Sequence, residues 1–484
     1  MRINPASWVF ASVFAAALLA PVHASGADAP EFEAEVAGRP LELHGFAQGV
    51  FANYEFNGPV DIVIHTNFDV RWVNVRPRSS DVAATIGPDH HSVSFRATRV
   101  LPLTVEFNDD LSRVVHLFNY APDGNVPAAD APNVHFFGPG LHDAGLIDLK
   151  DGETLYLAAG AWVKGNVRSV GTRNVSIRGR GVLDGSDIAS RPGTRGLGGP
   201  GGDGTRNMVY LEHTEGATIE GITIFNSDFE WTVFLKGADG THVEGVNLLN
   251  PSMRYGDDGF DVVSSSNVLI ENIFVRTNDD CVVVKNLLDV DTHDVNVRHA
   301  VLWNMPTGGN GLEVGFEMRH SRVHGIHFSD VDILHVERGS AISIHNGDDS
   351  TLEDITFDDI RVEDARRKLI DFAVIYAQYG YDKPTDPAEN ARRIDKGGTW
   401  DGLLSFTPEE RPQRAKFRGH IRDVRVTNMH VIEGSLPYSV IAGFDAEHGI
   451  DGVVIEGLQY QGRPILNAKD GKFSIDFARG VVFR

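Results

Sequence analysis

The stretch Asn267-Val-Leu-Ile-Glu-Asn272 alternates apolar and polar residues, and a similar alternation returns 26 residues later as His293-Asp-Val-Asn-Val-Arg298. Alternation with a period of two predicts a strand that buries one face. From Ala217 to Thr351 the successive copies are separated by 24, 26, 26, 29 and 29 residues. A period of this length indicates a solenoid, in which each unit buries its apolar face against its neighbours. The other copies begin at Asn174, Ala217, Thr241, Arg322, Thr351, Arg422 and Ile450.

The content of each unit favours one kind of solenoid. Leucine-rich repeats have a similar period, but the regular Leu and Asn ladder of that class is missing from this sequence. Val and Ile alternate within each unit, and Gly, Asn and Asp interrupt the strands, as is typical of the coils of a parallel β-helix. We therefore expect an all-β fold with a right-handed parallel β-helix over residues 131–484.

Two regions depart from the repeat. Residues 31–130 contain alternating segments such as Val60-Asp-Ile-Val-Ile64 and Leu103-Thr-Val-Glu-Phe107, which predict a small antiparallel β-sandwich before the helix. Residues 364–418 form a predicted insertion that contains Tyr376, Tyr379, Tyr381 and Trp400. Insertions into a solenoid tend to lie on one face. This one either forms a wall of a binding cleft or acts as a spacer.

Charge and the N-terminus limit where the protein works and what it binds. The formal net charge of the 484 residues is −23, which disfavours nucleic acid and anionic membranes as partners. Residues 1–24 combine Arg2, an apolar run and a small-residue cleavage site, the pattern of a signal peptide. We therefore expect a secreted protein, periplasmic or extracellular. Cys281 is the only cysteine, so no intramolecular disulfide forms, and the sequence indicates no oligomeric state.

A group of aspartates stands out on two successive coils. Asp258 lies in Tyr255-Gly-Asp-Asp-Gly-Phe-Asp261, and Asp279 and Asp280 lie in Thr277-Asn-Asp-Asp-Cys281. Asp258 and Asp279 are 21 residues apart, close to one coil, so we expect them on neighbouring rungs about 4.8 Å apart. Like charges this close raise one another's pKa, which suits the acid and base of glycoside hydrolysis. The same cluster is equally compatible with β-helix turns or with a Ca²⁺ site.

Both aspartate motifs resemble signatures of the polygalacturonase-like glycoside hydrolases of family 28. Gly256-Asp-Asp-Gly-Phe-Asp261 is similar to Asn-Thr-Asp-Gly-Phe-Asp, and Asp279-Asp280-Cys281 is similar to Asp-Asp-Cys. The dextranase and isopullulanase group of family 49, in which a β-sandwich precedes the helix, is also similar. The resemblance implies inverting hydrolysis, with Asp279 as general acid and with Asp258 and Asp280 activating the attacking water. It implies no metal and no organic cofactor.

The chain departs from the family at the residues that bind substrate. Asn310, in Gly309-Asn-Gly311, stands where the family has Gly-His-Gly, and an amide does not titrate. Ser343-Ile-His345 stands where the family has Arg-Ile-Lys, which grips the sugar carboxylate. Losing this basic pair favours a neutral polysaccharide or oligosaccharide, as for the dextranases, over polygalacturonate. Lys285 keeps a pectic substrate open as the alternative.

Further residues are candidates for substrate binding, each with a plainer alternative. Asp257 flanks the aspartates, and Glu313, Glu317 and His345 either contact sugar hydroxyls or are merely solvated. Trp303 can stack on a sugar ring, although an aromatic residue in a solenoid more often fills the core. Trp231 and Phe316 have the same two interpretations. The histidines near residues 320–335 lack the spacing of a zinc site, so we expect no metal.

Two other functions compete with hydrolysis. A polysaccharide lyase also uses a parallel β-helix, with aspartates that hold Ca²⁺ and a basic residue that acts on a uronate; here Lys285 is the one evident basic candidate. A solenoid that binds glycans without cleaving them is the second alternative. In all three cases the expected partner is a carbohydrate.

Overall fold

A computed structural model describes residues 31–191, 199, 201–227, 231–252, 256–395 and 404–484. The expected signal peptide, Tyr255 and Trp400 lie outside the described residues. Nearly all of the regular structure is strand, in agreement with the predicted all-β class. No helix among the described residues is both long enough and apolar enough to cross a membrane.

The first ten strands form a β-sandwich of two five-stranded sheets, ordered β2-β1-β5-β8-β7 and β3-β4-β10-β9-β6. All pairs are antiparallel except β4 with β10. A short 3₁₀ turn, Arg78–Ser80, follows β6. The strands are β1 Phe32–Val36, β2 Arg39–Pro40, β3 His44–Phe46, β4 Gly49–Glu55, β5 Val60–Thr66, β6 Val73–Arg76, β7 Thr85–Ile86, β8 Ser92–Ala97, β9 Leu103–Phe107 and β10 Asp110–Tyr120.

From residue 134 onward the chain winds into a right-handed parallel β-helix of 29 strands within the described residues. Its first half consists of β11 Val134–Phe137, β12 Gly140–Asp148, β13 Thr154–Leu157, β14 Ala161–Val170, β15 Ser176–Gly179, β16 Val182–Asp184, β17 Val209–Glu212, β18 Thr218–Glu220, β19 Thr223–Phe225, β20 Val233–Lys236, β21 His242–Glu244, β22 Asn247–Leu249, β23 Phe260–Val263, β24 Ser266–Thr277 and β25 Val282–Asn286.

The second half of the β-helix also contains two short α-helices, α1 Pro387–Asp395 and α2 Arg411–Ala415. A 3₁₀ turn, Ile188–Ser190, lies earlier in the chain. The remaining strands are β26 Thr292–Asn304, β27 Leu312–Met318, β28 Arg322–Val336, β29 Ser340–Asn346, β30 Thr351–Val362, β31 Lys368–Val374, β32 His420–Val431, β33 Tyr438–Ala442, β34 Ile450–Glu456, β35 Gln459–Tyr460, β36 Arg463–Pro464, β37 Phe473–Asp476, β38 Ala478–Arg479 and β39 Val482–Phe483.

Each coil contributes to three faces of the helix. The site face contains β17, β20, β23, β25, β27, β29, β31 and β33, which pair in register from one coil to the next. The long strands β24, β26, β28, β30 and β32 bend in the middle, so their first halves form the middle face and their second halves form the sandwich face.

The bend between these two faces explains the Gly, Asn and Asp pattern of the repeat. One residue per coil has a left-handed backbone there, a conformation that Gly, Asn and Asp adopt more readily than other residues. Because the bend recurs at the same point of every coil, these residues stack on one another. They are Gly221, Gly245, Asn272, His299, Asp330, Asp359, Asn428 and Gly457.

The interior is filled by aliphatic ladders that run along the helix axis. Burying one such side chain fully contributes roughly 1.5–3 kcal/mol, so a ladder with a member on every coil holds neighbouring coils together. On the site face one ladder consists of Leu211, Leu235, Val262, Val284, Val314, Ile344 and Phe372, all of which are fully buried.

The departure from the repeat starts later than the sequence analysis placed it. The predicted insertion begins at residue 364, but β31, Lys368–Val374, is a regular strand of the site face and pairs with β29. Its apolar residues Leu369, Ile370 and Phe372 belong to the core. The irregular segment therefore begins after Val374. The repeat motif marks only the strands of the middle face, so it gives no signal for β31, which lies on the site face.

The sandwich docks on the sandwich face of the helix through a buried, mixed interface. Phe51 and Phe118 of the sandwich share an apolar cluster with Phe274 and Trp303 of the helix. Buried ion pairs cross the same interface, including Glu106 with His335 at 2.6 Å between Oε1 and Nε2, and Arg76 with Glu363. The two parts of the chain are therefore joined by both apolar contacts and charges.

Candidate functional site

The predicted aspartates lie at one corner of the helix, where each coil passes from the sandwich face to the site face. Asp258 precedes β23, the pair Asp279 and Asp280 precedes β25, and Asn310 precedes β27. Because successive coils turn at the same corner, these three segments stack. Gly259 N–H donates to Asp280 O at 2.8 Å, and Cys281 N–H donates to Asn310 O at 2.9 Å. The corner thus brings the two aspartate motifs together, as the spacing predicted.

The register between β23 and β25 differs by one residue from the alignment of Asp258 with Asp279 that the spacing predicted. Phe260 is paired with Val282, and the backbone bond from Gly259 to Asp280 continues this register toward the corner. Asp258 is therefore aligned with Asp280, and Asp279 is aligned with Asp257. Asp258, Asp257 and Asp280 are buried, whereas Asp279 is partly exposed. Of the four carboxyl groups, that of Asp279 is the most accessible from solvent.

Asp279 has the electrostatics of a proton donor. Its Oδ2 accepts a hydrogen bond from Gly256 N at 2.9 Å, and its Oδ1 accepts one from Asp280 N at 3.1 Å. Burial, followed by the nearby charge of Asp258, raises the pKa of Asp279 to about 7. Near neutral pH a substantial fraction of Asp279 is therefore protonated.

Asp280 and Asp257 are also shifted toward the protonated form. Burial, followed by the charges of Asp279, Asp258 and Glu313, holds the pKa of Asp280 well above its usual range. Burial is also the main cause of the raised pKa of Asp257, ahead of the charges of Asp279 and Asp258. Asp257 is fully buried, and its Oδ2 accepts a bond from Asn278 Nδ2 at 3.2 Å. Asp257 therefore lies behind the cluster.

A glycine makes the close packing of this corner possible. Gly309 has a φ of +76°, and a Cβ there would lie 2.2 Å from the carbonyl carbon and 2.5 Å from the Cα of Asp279. A side chain at this position would push directly against the backbone of the aspartate pair. Asn304 holds the same backbone from the sandwich side, since its Nδ2 donates to Asp279 O at 2.7 Å.

Lys285, which was expected near the substrate, lies at the centre of an ion-pair cluster. Its Nζ is 2.8 Å from Asp258 Oδ2, 2.9 Å from Asp261 Oδ1 and 4.0 Å from Glu317 Oε2. Trp231 covers it, with Nζ 3.6 Å from the ring centroid. Burial lowers the pKa of Lys285, but these carboxylates outweigh it and raise the pKa, so the ammonium is charged. Trp231 is 6% exposed, and the ammonium of Lys285 covers a face of its ring.

Glu313 and His345 belong to a second buried network on the site face. His345 Nδ1 lies 3.0 Å from both carboxylate oxygens of Glu313, and its Nε2 lies 3.0 Å from Asp371 Oδ2. Ser343 donates to Glu313, and Lys368 donates to Asp371. Burial lowers the pKa of His345, but the two carboxylates outweigh it and raise the pKa to about 10. Neither Glu313 nor His345 is solvated, contrary to the plainer alternative.

The insertion reaches the site through Tyr379. This ring is 42% exposed and lies 6.0 Å from the ring of Phe316, edge to face. Phe316 in turn stacks on His345 at 4.5 Å. Burial raises the pKa of the Tyr379 phenol, and so do the charges of Asp279, Glu317 and Asp258. Tyr379 therefore presents an aromatic face beside the aspartates. The sequence named this residue within the insertion but did not indicate that it reaches the site.

Trp303 does not lie at this site, so its prediction as a substrate-binding residue is wrong. It is 1% exposed and sits in the interface with the sandwich. Its ring lies 4.3 Å from that of His335 and 4.4 Å from the guanidinium carbon of Arg276. The Trp303 side chain points outward from the sandwich face. The docked sandwich covers it there.

One group among the described residues has the composition of a metal site, and it lies away from the aspartates. His242, Glu244 and Glu271 bring ligand atoms within 4.8 Å of one another on the middle face. Glu271 is already paired with Arg298 at 2.8 Å and with His242 at 2.9 Å. His242 and Glu271 are therefore already paired without a metal ion.

Comparison with known proteins shows which family the helix resembles. Residues 155–394 match the Glycosyl hydrolases family 28. The Probable endopolygalacturonase D of Neosartorya fischeri is 30% identical over 195 residues, 39% of this chain and 37% of the relative. A probable endopolygalacturonase of Aspergillus fumigatus is 25% identical over 238 residues, 46% of this chain and 59% of the relative. The chain thus spans less than two thirds of the length of these curated relatives.

A solved structure matches the chain over a longer range. Dex49A from Penicillium minioluteum aligns with 88% of this chain and 81% of its own, at a TM-score of 0.57 and 14% identity. At this identity the likeness concerns the fold alone. Over residues 155–394, the β-helix of this chain is similar to glycosyl hydrolases family 28.

Proposed function

We propose that this protein is an inverting glycoside hydrolase and that Asp279 is its general acid. The observation that supports this most is the contrast within the aspartate corner. Asp279 is the most accessible of the four carboxyl groups and has a pKa of about 7. Asp258, one coil away, is bound at 2.8 Å by the ammonium of Lys285. Two carboxyl groups whose environments differ in this way suit an acid and a base.

In the proposed reaction each proton has a defined destination. Asp279 gives its proton to the glycosidic oxygen as the bond from that oxygen to the anomeric carbon breaks. A water molecule held by Asp258 and Asp280 attacks the anomeric carbon from the opposite side, and Asp258 takes up its proton. The product then has the inverted configuration. The enzyme regains its starting state when Asp258 releases this proton and Asp279 takes one up.

Substitution of Asp279 tests the assignment. Asp279→Asn removes the transferable proton and keeps the shape of the side chain, so kcat should fall at least about 1,000-fold with KM nearly unchanged. Asp294→Asn, at an exposed position of the middle face, is the matched control and should remain fully active. NMR of the first product formed reports its anomeric configuration, and retention would contradict the proposal.

The competing functions make different predictions in the same assay. A lyase would form an unsaturated product that absorbs in the ultraviolet, and a chelator would abolish its formation. A solenoid that only binds glycans would show no turnover, and Asp279→Asn would leave its binding unchanged. Hydrolysis requires a reducing end without ultraviolet absorbance.

For the substrate we propose a neutral polysaccharide or oligosaccharide. Recognition of a sugar carboxylate generally needs an Arg or Lys with free donors. Near the aspartates, Lys285 is paired with Asp258 and Asp261, His345 with Glu313 and Asp371, and Lys368 with Asp371. These three cations are neutralised by protein carboxylates, which supports a substrate without acid groups.

Hydrolysis of polygalacturonate is the second candidate. It is favoured by the relatives, two of which are named as probable endopolygalacturonases. A reducing-sugar screen with dextran, pullulan, arabinan, fructan and polygalacturonate separates the two candidates. Turnover of dextran or another neutral glycan at least about 100-fold above polygalacturonate is the expected result. The reverse order would establish the pectic alternative.

We also propose that the protein acts outside the cytoplasm, in the periplasm or the medium. The proposal rests on the export pattern of residues 1–24 and on a carbohydrate polymer as substrate. Fractionation of cells that express the full chain, with N-terminal sequencing of the mature protein, tests it. Cleavage after Ala24 is expected, and full-length protein confined to the cytoplasm would contradict it.

A further inference from the structure

We propose that Lys285 is a positioning residue of this site: clamped between Asp258 and Asp261 under the ring of Trp231, it holds the Asp258 carboxyl group in place as the base. This inference rests on the proposed function, because it assigns a role within the same reaction. It replaces the expectation that Lys285 contacts the substrate.

The contacts of the Lys285 ammonium leave few hydrogen-bond donors free to bind a substrate. Two of its three N–H donors are used at 2.8 Å by Asp258 Oδ2 and at 2.9 Å by Asp261 Oδ1. The indole face of Trp231, at 3.6 Å, covers another side of the ammonium. The Lys285 side chain is 5% exposed. A substrate carboxylate could bind there only by displacing a protein carboxylate.

The geometry also fixes where Asp258 points. Lys285 lies on β25, the strand next to β23, and the register pairs it with Val263. Its side chain therefore extends back along the site face toward the corner, where it meets Asp261 of β23 and Asp258 just before it. Asp261 is fully buried and anchors the ammonium from the strand. Asp258 is consequently held by a bond that originates on the neighbouring coil.

The charge balance around Asp258 makes this contact important. Acidic groups approach it from its own coil, from the next two coils and from the insertion, and the ammonium of Lys285 opposes them. Lys285 lowers the pKa of Asp261, Asp279 and Asp280, so without its ammonium the aspartate cluster would stay protonated to higher pH. The opposing ammonium is that of Lys285. The acidic groups are Asp257, Asp261, Asp279, Asp280, Cys281, Glu317 and Tyr379.

The test compares pH profiles of kcat/KM for Lys285→Met and the wild type. We expect the rising limb of the profile to move up by at least about one pH unit, which lowers kcat at pH 5 at least about tenfold, with KM little changed. Lys236→Met is the matched control: Lys236 lies in the same row of the site face and pairs with Glu212. Its rising limb should stay in place.

Two further variants cover the case in which Lys285→Met does not fold. Lys285→Arg keeps the charge and should restore the position of the rising limb, although a planar guanidinium fits two carboxylates differently and lowers kcat. Asp261→Asn keeps the ammonium on Asp258, so the limb should stay or move to lower pH. An increase in KM with an unmoved limb in Lys285→Met would show a substrate ligand and overturn the proposal.

The proposed function and this inference fail in distinguishable ways. A wild type that hydrolyses no glycan would contradict the proposed function. A wild type that hydrolyses normally while Lys285→Met keeps its rising limb would contradict the role of Lys285 alone. Unfolding titrations from pH 4 to 8 provide a readout without activity. The stability difference between wild type and Lys285→Met should grow with pH as the aspartate cluster ionises, and a pH-independent difference would contradict the inference.

Discussion

Asn310 binds one oxygen of Asp280 twice: its backbone N–H and its side-chain Nδ2 donate to Oδ1 at 2.7 and 2.8 Å. The amide oxygen of the same side chain accepts a bond from Ser340 N at 2.9 Å, which fixes its orientation. Asn310 stands where the family resemblance predicts a histidine. In this chain the position therefore holds the Asp280 carboxyl group in place with neutral donors instead of supplying a titratable ring.

Removing this amide should weaken turnover more than binding. Asn310→Ala leaves the backbone donor but removes the second bond to Asp280 and leaves Ser340 N without its acceptor. Because a buried polar group left without its hydrogen-bond partner costs about 1–3 kcal/mol, we expect kcat to fall about 10- to 100-fold. Asn296→Ala, at an exposed position of the middle face, is the control for steady-state kinetics. Full activity of Asn310→Ala would contradict this role.

The pKa of Asp279 predicts the alkaline side of the pH profile. The proposed general acid must be protonated, and burial together with the nearby charge of Asp258 raises the pKa of Asp279 to about 7. We expect kcat/KM to fall about tenfold per pH unit above roughly pH 7. Initial rates measured from pH 4 to 9 with a saturable substrate check this. A plateau that extends to pH 9 would assign the acid to another group.

Tyr379 should contribute to substrate affinity through its exposed ring. Aromatic contacts contribute about 0.5–1.5 kcal/mol beyond the area they bury, so Tyr379→Ala should raise KM up to about tenfold with a smaller effect on kcat. Tyr379→Phe keeps the ring and should retain the wild-type KM. If both variants behave alike, the hydroxyl and not the ring contacts the substrate.

Trp303 should matter for stability and not for substrate. Truncating a fully buried Trp costs about 3–5 kcal/mol, so Trp303→Ala should lower the free energy of unfolding by that amount. The fraction that folds should keep the wild-type KM. Trp72→Ala, at a half-exposed position of the sandwich, is the control and should change stability by less than about 1 kcal/mol. Denaturant titrations measure both.

His345 should make the fold sensitive to alkaline pH. Its pKa in the folded protein is about 10, raised above the ordinary value of 6.5, so the stabilisation is complete below about pH 6.5 and is lost as pH rises toward 10. Over that window the wild type should lose up to about 1.4 kcal/mol of stability per pH unit from this group. His345→Gln should show a flatter dependence in unfolding titrations. An unchanged slope would show that His345 does not titrate there.

The sequence by itself determined the architecture. The period of 24 to 29 residues and the Gly, Asn or Asp at the bends specify a stacked coil, because each coil closes only if its bends recur at the same place. The same periodicity brought Asp258 to Asp279 and Asp280, since residues one coil apart meet at one corner. These inferences need only local patterns and a constant repeat length.

The tertiary structure decided what surrounds those aspartates. The sequence did not indicate that Lys285 would be held by Asp258 and Asp261, or that His345 would bridge Glu313 and Asp371. Trp303 looked available for substrate because no repeat shows that a separate sandwich covers it. Such contacts depend on which outward face of the β-helix the sandwich covers and on where the irregular insertion after β31 packs against the site face. The charge state of each side chain follows from those meetings, because burial and neighbouring charges set it and the residue type alone does not.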